Sequence, residues 1–75
     1  MPQTVVVNVE WDPEAKLWVA ESNDVPGLAT GADMIEALIE RLKVAIPEIL
    51  TENGIAFEPA LMFKIAVGRS ESIAA

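Results

Sequence analysis

The sequence predicts a small α+β domain in which three antiparallel strands are followed by one long helix, kinked near Pro47, and then by a fourth strand. Alternation of apolar residues along 4–11, and again along 60–67, predicts the first and last strands. Apolar residues that recur at steps of three and four from Ile35 to Ile49 predict the helix. One helix covers only one face of the sheet, so the other face is left to solvent or to another chain.

The first two predicted strands, 4–11 and 16–21, form a hairpin. Residues 12–15 (Asp-Pro-Glu-Ala) supply the turn, because aspartate suits its first position and proline fixes the backbone angle of its second. Trp11 and Trp18 flank this turn, and we expect the two indoles to pack across the strands.

A loop rich in turn-forming residues at 22–27 leads to a short third strand at 28–30. Asp33 stands three residues before Glu36, a spacing that predicts a capping box at the start of the helix. Pro47 removes one backbone donor from the helix, and this is why we expect a kink there.

The helix is predicted to end at Asn53 and Gly54, since these residue types favour the left-handed conformation that terminates helices. The fourth strand then occupies 60–67. Residues 68–75 have no clear pattern and are expected to fray. The 75 residues thus form one domain, 1–75, near the lower size limit for a chain without stapling disulfides or metals.

The chain has 12 acidic and 5 basic side chains, which gives a net charge of −7. Affinity for nucleic acid rests mainly on clustered lysine and arginine, so we expect no direct binding of nucleic acid. An acidic surface favours a basic partner, although the same charge also keeps a small apolar protein in solution.

Histidine and cysteine are both absent, which removes the usual general base at neutral pH, the thiol nucleophile and the commonest metal ligands. We therefore predict no enzyme activity, no catalytic or metal-binding residues and no cofactor. Glu10 and Asp12 share a strand face, but the aspartate also has a turn role, so a residual metal-dependent nuclease is a minor alternative. The N-terminus lacks a leader pattern and the helix carries too many charges to cross a bilayer, so a cytoplasmic location is expected.

The hydrophobic fraction of 52% is high for so short a chain. A small globule cannot bury all of these residues, and we therefore expect a homo-oligomer, a dimer or larger. The residues predicted to lie opposite the core and to mediate self-association are Val6, Trp18, Met62 and Ala66.

Four segments carry a resemblance to a known family. They are WDPEA at 11–15, WVAES at 18–22, DVPGLAT at 24–30 and IPEILTENG at 46–54. The second and third match a pattern of strand, acidic turn, Pro-Gly corner and short strand, and in this the chain resembles the N-terminal domain of HicB-type antitoxins, a partial RNase H-like fold. The first and fourth segments are similar to a group of short, stand-alone HicB-like proteins.

The resemblance implies a protein-binding role. HicB-type antitoxins bind a small basic HicA-like toxin that degrades RNA, mask its surface, and self-associate through the sheet or its edge. Full antitoxins also carry a C-terminal DNA-binding domain, which we do not expect in this chain. The acids of the turns and of the solvent face are expected to contact such a partner, namely Glu21, Asp24, Glu36 and Glu40. The alternative is a stand-alone homo-oligomeric scaffold, or a small-ligand-binding domain, without a toxin.

Overall fold

Five elements follow one another in the computed structural model, which describes residues 4–59, 61–69 and 73. They are β1 (Thr4–Asp12), β2 (Leu17–Glu21), β3 (Thr30–Ala32), α1 (Ile35–Glu52) and β4 (Met62–Gly68). The strands form one sheet in the order β3-β2-β1-β4. β2 is antiparallel to both β1 and β3, whereas β4 joins β1 in parallel after the crossover through the helix. The predicted α+β class and the order β-β-β-α-β are confirmed.

The hairpin of β1 and β2 forms as predicted. Its turn is held by Asp12, whose Oδ1 accepts hydrogen bonds from the backbone N–H of Glu14 (3.0 Å) and of Ala15 (3.2 Å). Trp11 pairs with Trp18 in the strand register. Their ring centroids lie 5.1 Å apart at an interplanar angle of 60°, an edge-to-face contact that confirms the expected packing across the strands.

The helix α1 packs against one face of the sheet, which we name the helix face. The buried residues of α1 recur every four positions and are Leu38, Leu42, Ile46 and Leu50. The same buried cluster includes, from the sheet, Val5, Val7, Val9, Ala20 and Ala32. Pro47 lies inside α1, which continues to Glu52 without a break. No helix among the described residues is long and apolar enough to cross a membrane.

The third strand lies two residues later than predicted, at Thr30–Ala32 and not at 28–30. The reason is Leu28, which is 5% exposed and packs into the core from the loop. The Leu28 N–H donates to the carbonyl oxygen of Val25 (3.1 Å), and Gly27 adopts a φ of 86° in the turn between them. A loop therefore supplies core packing where the sequence suggested a strand.

The predicted capping box of Asp33 and Glu36 is wrong. The N-cap is Met34, which has an extended backbone (φ −126°, ψ 142°) and no side-chain capping bond. Because β3 lies later than predicted, the chain also enters the helix later than the capping box requires. The helix ends where the sequence indicated, with Asn53 as the C-cap and Gly54 at a φ of 68°.

The fourth strand begins at Met62, whereas the sequence predicted residue 60, which lies outside the described residues. It ends at Gly68, and the next residue, Arg69, stacks on the tryptophan pair. Neither residue therefore belongs to the predicted frayed tail. Apart from Ile73, the rest of that tail lies outside the described residues.

The two faces of the sheet differ in what covers them. Directly paired residues point to the same side of a sheet, so the register places Phe63 of β4 beside Val5 on the helix face. On the other side, named the open face, are Thr4, Val6, Asn8, Glu10, Asp12, Leu17, Val19, Glu21, Met62, Lys64 and Ala66. The described residues contain one helix, and they form no second layer over the open face.

Candidate protein-binding surface

The open face exposes apolar side chains that alternate along the strands with buried ones. Val6 is 41% exposed and Met62 is 59% exposed. By contrast, Val5 (7%) and Val7 (0%) are buried on the helix face. Val19 of β2, at 38%, also belongs to the exposed set. Single exposed apolar side chains are ordinary, but three on a sheet face that no second layer of described residues covers offer a surface on which another protein can pack.

The charges of the open face are unevenly distributed. Its acids, Glu10, Asp12 and Glu21, lie on β1 and β2, and Lys64 on β4 pairs with Val6. In the described part of the chain, no group of three or more acidic, histidine or cysteine side chains is placed to hold a metal ion. The expectations of no catalytic, cofactor-binding or metal-binding residues stay predictions.

The two edge strands of the sheet, β3 and β4, differ in length and in the space around their backbone. β3 forms one edge with only three residues, and a Cβ added at its Gly31 would lie 3.1 Å from the carbonyl oxygen of Trp18. β4 forms the other edge with seven residues, and no described strand pairs with its outer side. Such an edge offers a row of backbone N–H and C=O groups to a strand of another chain.

Three of the four residues predicted to mediate self-association lie on the open face, namely Val6, Met62 and Ala66. The placement of Trp18 opposite the core is wrong. Trp18 pairs with Ala32 and packs against the buried cluster of the helix face. Its neighbours Leu17 and Val19 are the β2 residues that point to the open face. The sequence-based prediction therefore assigned the alternating residues of β2 to the wrong faces by one position.

The acids predicted to contact a partner lie on different sides of the molecule. Glu21 ends β2 on the open face, whereas Glu36 and Glu40 are exposed on α1, which packs on the opposite side of the sheet. Lys43 Nζ forms an ion pair with Glu40 Oε1 at 3.1 Å. A single flat partner surface cannot contact Glu21 and the helix acids together.

Asp24, the fourth of these acids, has a structural role. Its Oδ2 accepts a hydrogen bond from the Val6 N–H (2.9 Å), while Ser22 Oγ donates one to the Val6 carbonyl oxygen. Ser22 Oγ also accepts a hydrogen bond from the Asp24 N–H (3.1 Å). Since β2 has already ended at Glu21, these two side chains satisfy the backbone of β1 beyond it. A partner that contacts Asp24 would have to share its carboxylate with the sheet.

Arg69 forms a contact that the sequence analysis missed. Its guanidinium carbon lies 4.5 Å from the ring centroid of Trp11 and 5.5 Å from that of Trp18. The parallel register would have revealed this contact. It pairs Glu10 with Gly68, and the residues that follow these two in the chain are Trp11 and Arg69. The sequence analysis instead placed Arg69 in a frayed tail.

Comparison with known proteins identifies a family and a similar structure. The sequence model of a family described as a domain of unknown function (DUF1902) matches residues 4–74. The crystal structure of a hypothetical protein from the extremely thermophilic bacterium Thermus thermophilus is similar to this chain, with 44% sequence identity and a TM-score of 0.74. The match covers 97% of this chain and 100% of the thermophile protein. No curated protein matches the chain.

Proposed function

The chain belongs to the DUF1902 family, and we propose that it is a non-catalytic protein-binding module with a role similar to that of the HicB-type antitoxins it resembles. It pairs with a second copy of itself in the cytoplasm. It also neutralises a small basic HicA-like toxin that degrades RNA by masking the toxin's surface. The observation that carries the proposal is the open face of the sheet, bordered by the outer edge of β4, with which no described strand pairs.

The outer edge of β4 supports pairing between two copies. A two-fold axis at Ile65 would align the two β4 strands in antiparallel orientation, so that the same edge is used by both copies. Lys64 of each copy would then lie opposite Ala66 of the other, and no like charges would meet. The two sheets would continue into one another, and the two open faces would lie side by side.

The charge of the chain supports a basic partner. The net charge is −7, and the open face places Glu10 and Glu21 next to the exposed Val19. A protein that binds RNA needs clustered lysine and arginine for the phosphates. An acidic surface that covers those residues therefore removes the RNA-binding surface of the toxin, and charge complementarity also accelerates the encounter.

Charges placed at Ala66 test the pairing of two copies. In the two-fold arrangement, Ala66→Lys sets like charges opposite each other at Lys64 twice per dimer, whereas Ala66→Glu sets opposite charges there. Size-exclusion chromatography with light scattering over a concentration series should show a wild-type dimer. We expect the dimer dissociation constant to rise roughly tenfold in Ala66→Lys and to stay unchanged or fall in Ala66→Glu.

The matched control is Val44→Lys, which adds the same charge on the exposed side of α1, where Val44 is 61% exposed. It should leave the dimer dissociation constant unchanged. A wild-type monomer at every concentration contradicts the pairing. So does an equal change in Ala66→Lys and Val44→Lys, because both variants add one positive charge and the change would then report total charge and not the position of the charge.

Co-expression tests the basic partner. A small basic RNA-degrading protein encoded beside this chain is produced with and without it, and RNA cleavage is measured in both cases. We expect the two proteins to purify together, cleavage to stop at equal amounts, and the complex to weaken as salt rises. The absence of such a neighbouring protein, or cleavage that persists with the chain in excess, contradicts the antitoxin role.

A stand-alone homo-oligomeric scaffold or small-ligand-binding domain is the second candidate. The β4 edge favours it specifically, because pairing of two copies through that edge requires no toxin. The two experiments separate the candidates: a dimer that responds to Ala66→Lys, with no basic partner in the second experiment, supports the scaffold.

A further inference from the structure

We infer that Trp11 and Trp18 form a binding site for the arginine side chain of a protein partner, and that the chain fills this site with its own Arg69 when it is alone. The inference goes beyond the proposed function, because Trp18 packs against the buried cluster of the helix face and the site is therefore not part of the open face. It involves the end of the hairpin at which the strands β1 and β2 meet their turn, apart from the two-fold axis proposed at Ile65.

The geometry of the tryptophan pair suits a flat cation. The rings meet edge to face with centroids 5.1 Å apart, so they present two differently oriented aromatic surfaces to one point. The guanidinium of Arg69 occupies that point, within the distance of about 6 Å over which a ring attracts a cation. The chemistry accepted by the site is therefore visible in the structure, since a guanidinium already lies in it.

A surface recess adjoins the pair beside Trp11. It is lined by Glu10, Trp11, Pro13, Gly68 and Arg69. The carboxylates of Glu10 and Asp12 belong to the open face, whereas the paired tryptophans lie on the other side of the sheet, so the attraction for a cation comes from the rings. A guanidinium is planar and weakly hydrated, so it stacks on aromatic rings more readily than the compact, strongly hydrated ammonium of lysine.

The occupant can leave while the site stays in place. Arg69 is exposed and follows the last residue of β4, so its side chain can swing away without opening the pairing of β1 with β4. The tryptophans are fixed, because they are paired in the register and Trp18 packs against the buried cluster. A fixed aromatic site whose internal occupant lies just beyond the end of a strand can accept the arginine of a partner in competition with its own.

The experiment uses the full chain labelled with ¹⁵N and follows the two indole N–H signals by NMR. N-acetyl-L-arginine amide is titrated into wild type, Arg69→Ala and Lys64→Ala. Lys64→Ala is the matched control, because it removes one positive charge from β4 but on the open face, away from the tryptophans. We expect the arginine probe to bind Arg69→Ala about two- to fivefold more tightly than the other two proteins.

Two further titrations define the chemistry and the place. N-acetyl-L-lysine amide should bind Arg69→Ala more weakly than the arginine probe, because an ammonium stacks less well. The double variant Arg69→Ala/Trp11→Leu should lose the response of its remaining indole signal. If that response persists, the probe binds elsewhere and the inference is overturned.

Equal binding of the arginine probe to wild type, Arg69→Ala and Lys64→Ala would also overturn it, since Arg69 would then be no competitor for the site. Well-dispersed indole signals in Arg69→Ala show that the variant is folded, so a negative result cannot be ascribed to unfolding. Failure of the toxin experiment with success of this titration would refute the antitoxin role and leave the arginine site standing. Success of the toxin experiment with failure of this titration would refute the arginine site and leave the antitoxin role standing.

Discussion

Val6 and Val7 are neighbours in β1 with the same side chain, yet Val6 is 41% exposed on the open face and Val7 is fully buried on the helix face. The cause is α1, which covers one side of the sheet, whereas no helix within 4–59, 61–69 and 73 covers the other. The difference teaches that the burial of a side chain in this sheet depends on its position in the alternation along the strand and not on its residue type. The helix face holds the buried residues of the sheet, and the open face is the surface through which we propose that the protein contacts another chain.

The largest effect should come from a fully buried residue of the helix. Leu42 is fully buried, and we expect Leu42→Ala to lower the free energy of unfolding by about 2–5 kcal/mol through lost burial and a remaining cavity. Urea denaturation followed by tryptophan fluorescence measures this. Val44→Ala, on the exposed side of the same helix, should change it by less than about 0.5 kcal/mol. Similar losses in both variants would refute the assignment of the two helix sides.

Val6 and Val7 of β1 allow the stability contributions of the two faces to be compared within one strand. We expect Val7→Ala to cost about 2 kcal/mol of unfolding free energy, because two buried methyl groups are lost. Val6→Ala should cost less than about 0.5 kcal/mol at concentrations where the protein is monomeric. Thermal and urea unfolding of both variants measure the difference. A larger loss for Val6→Ala would mean that the faces are reversed.

A smaller effect is expected at Asp24, where a side chain replaces strand pairing along β1. Asp24→Ala removes the acceptor for the Val6 N–H, and we expect a loss of about 1 kcal/mol. Amide hydrogen exchange should show faster exchange at Val6 in particular, and urea unfolding should give the stability. Asn23→Ala, a change at the exposed neighbouring residue, is the control. Unchanged exchange at Val6 would contradict the bond.

The smallest effect should come from the outer surface of α1. Glu40 and Lys43 form an ion pair whose side chains are 72% and 57% exposed, so water and salt screen it. We expect Glu40→Gln to change the free energy of unfolding by less than about 0.5 kcal/mol, and by less still at high salt. Urea denaturation at two salt concentrations tests this. A cost comparable to that of Val7→Ala would show that the helix exterior carries more of the stability than its exposure indicates.

The parts of the fold that the sequence predicts are those with a local periodic signal. The alternation of Val5, Val7 and Val9 specifies β1, and the four-residue recurrence of Leu38 and Leu42 specifies the buried side of α1. Both patterns follow from backbone geometry, which repeats within a few residues. The turn at Asp12 was predictable for the same reason.

The parts that could not be predicted depend on contacts between distant residues. Leu28 reads as a strand residue, but tertiary packing draws it into the core from a loop and delays β3. Trp18 lies in a strand of five residues, too short for alternation to fix which side is buried. Asp24 accepts a hydrogen bond from Val6, and Arg69 lies over the ring of Trp11. The partners in each contact are far apart in sequence, so no local pattern predicts either contact.

The parallel pairing of β1 with β4 has a consequence for how the protein is made. Thr4 pairs with Met62, so β1 gains its second neighbour only after about fifty further residues, those that follow β1 up to β4, have been synthesised. The hairpin with its tryptophan pair can form early on the ribosome, because its contacts are local, whereas closure of the sheet must wait. A nascent chain halted before β4 would expose the valine-rich edge of β1, which chaperones and proteases can recognise.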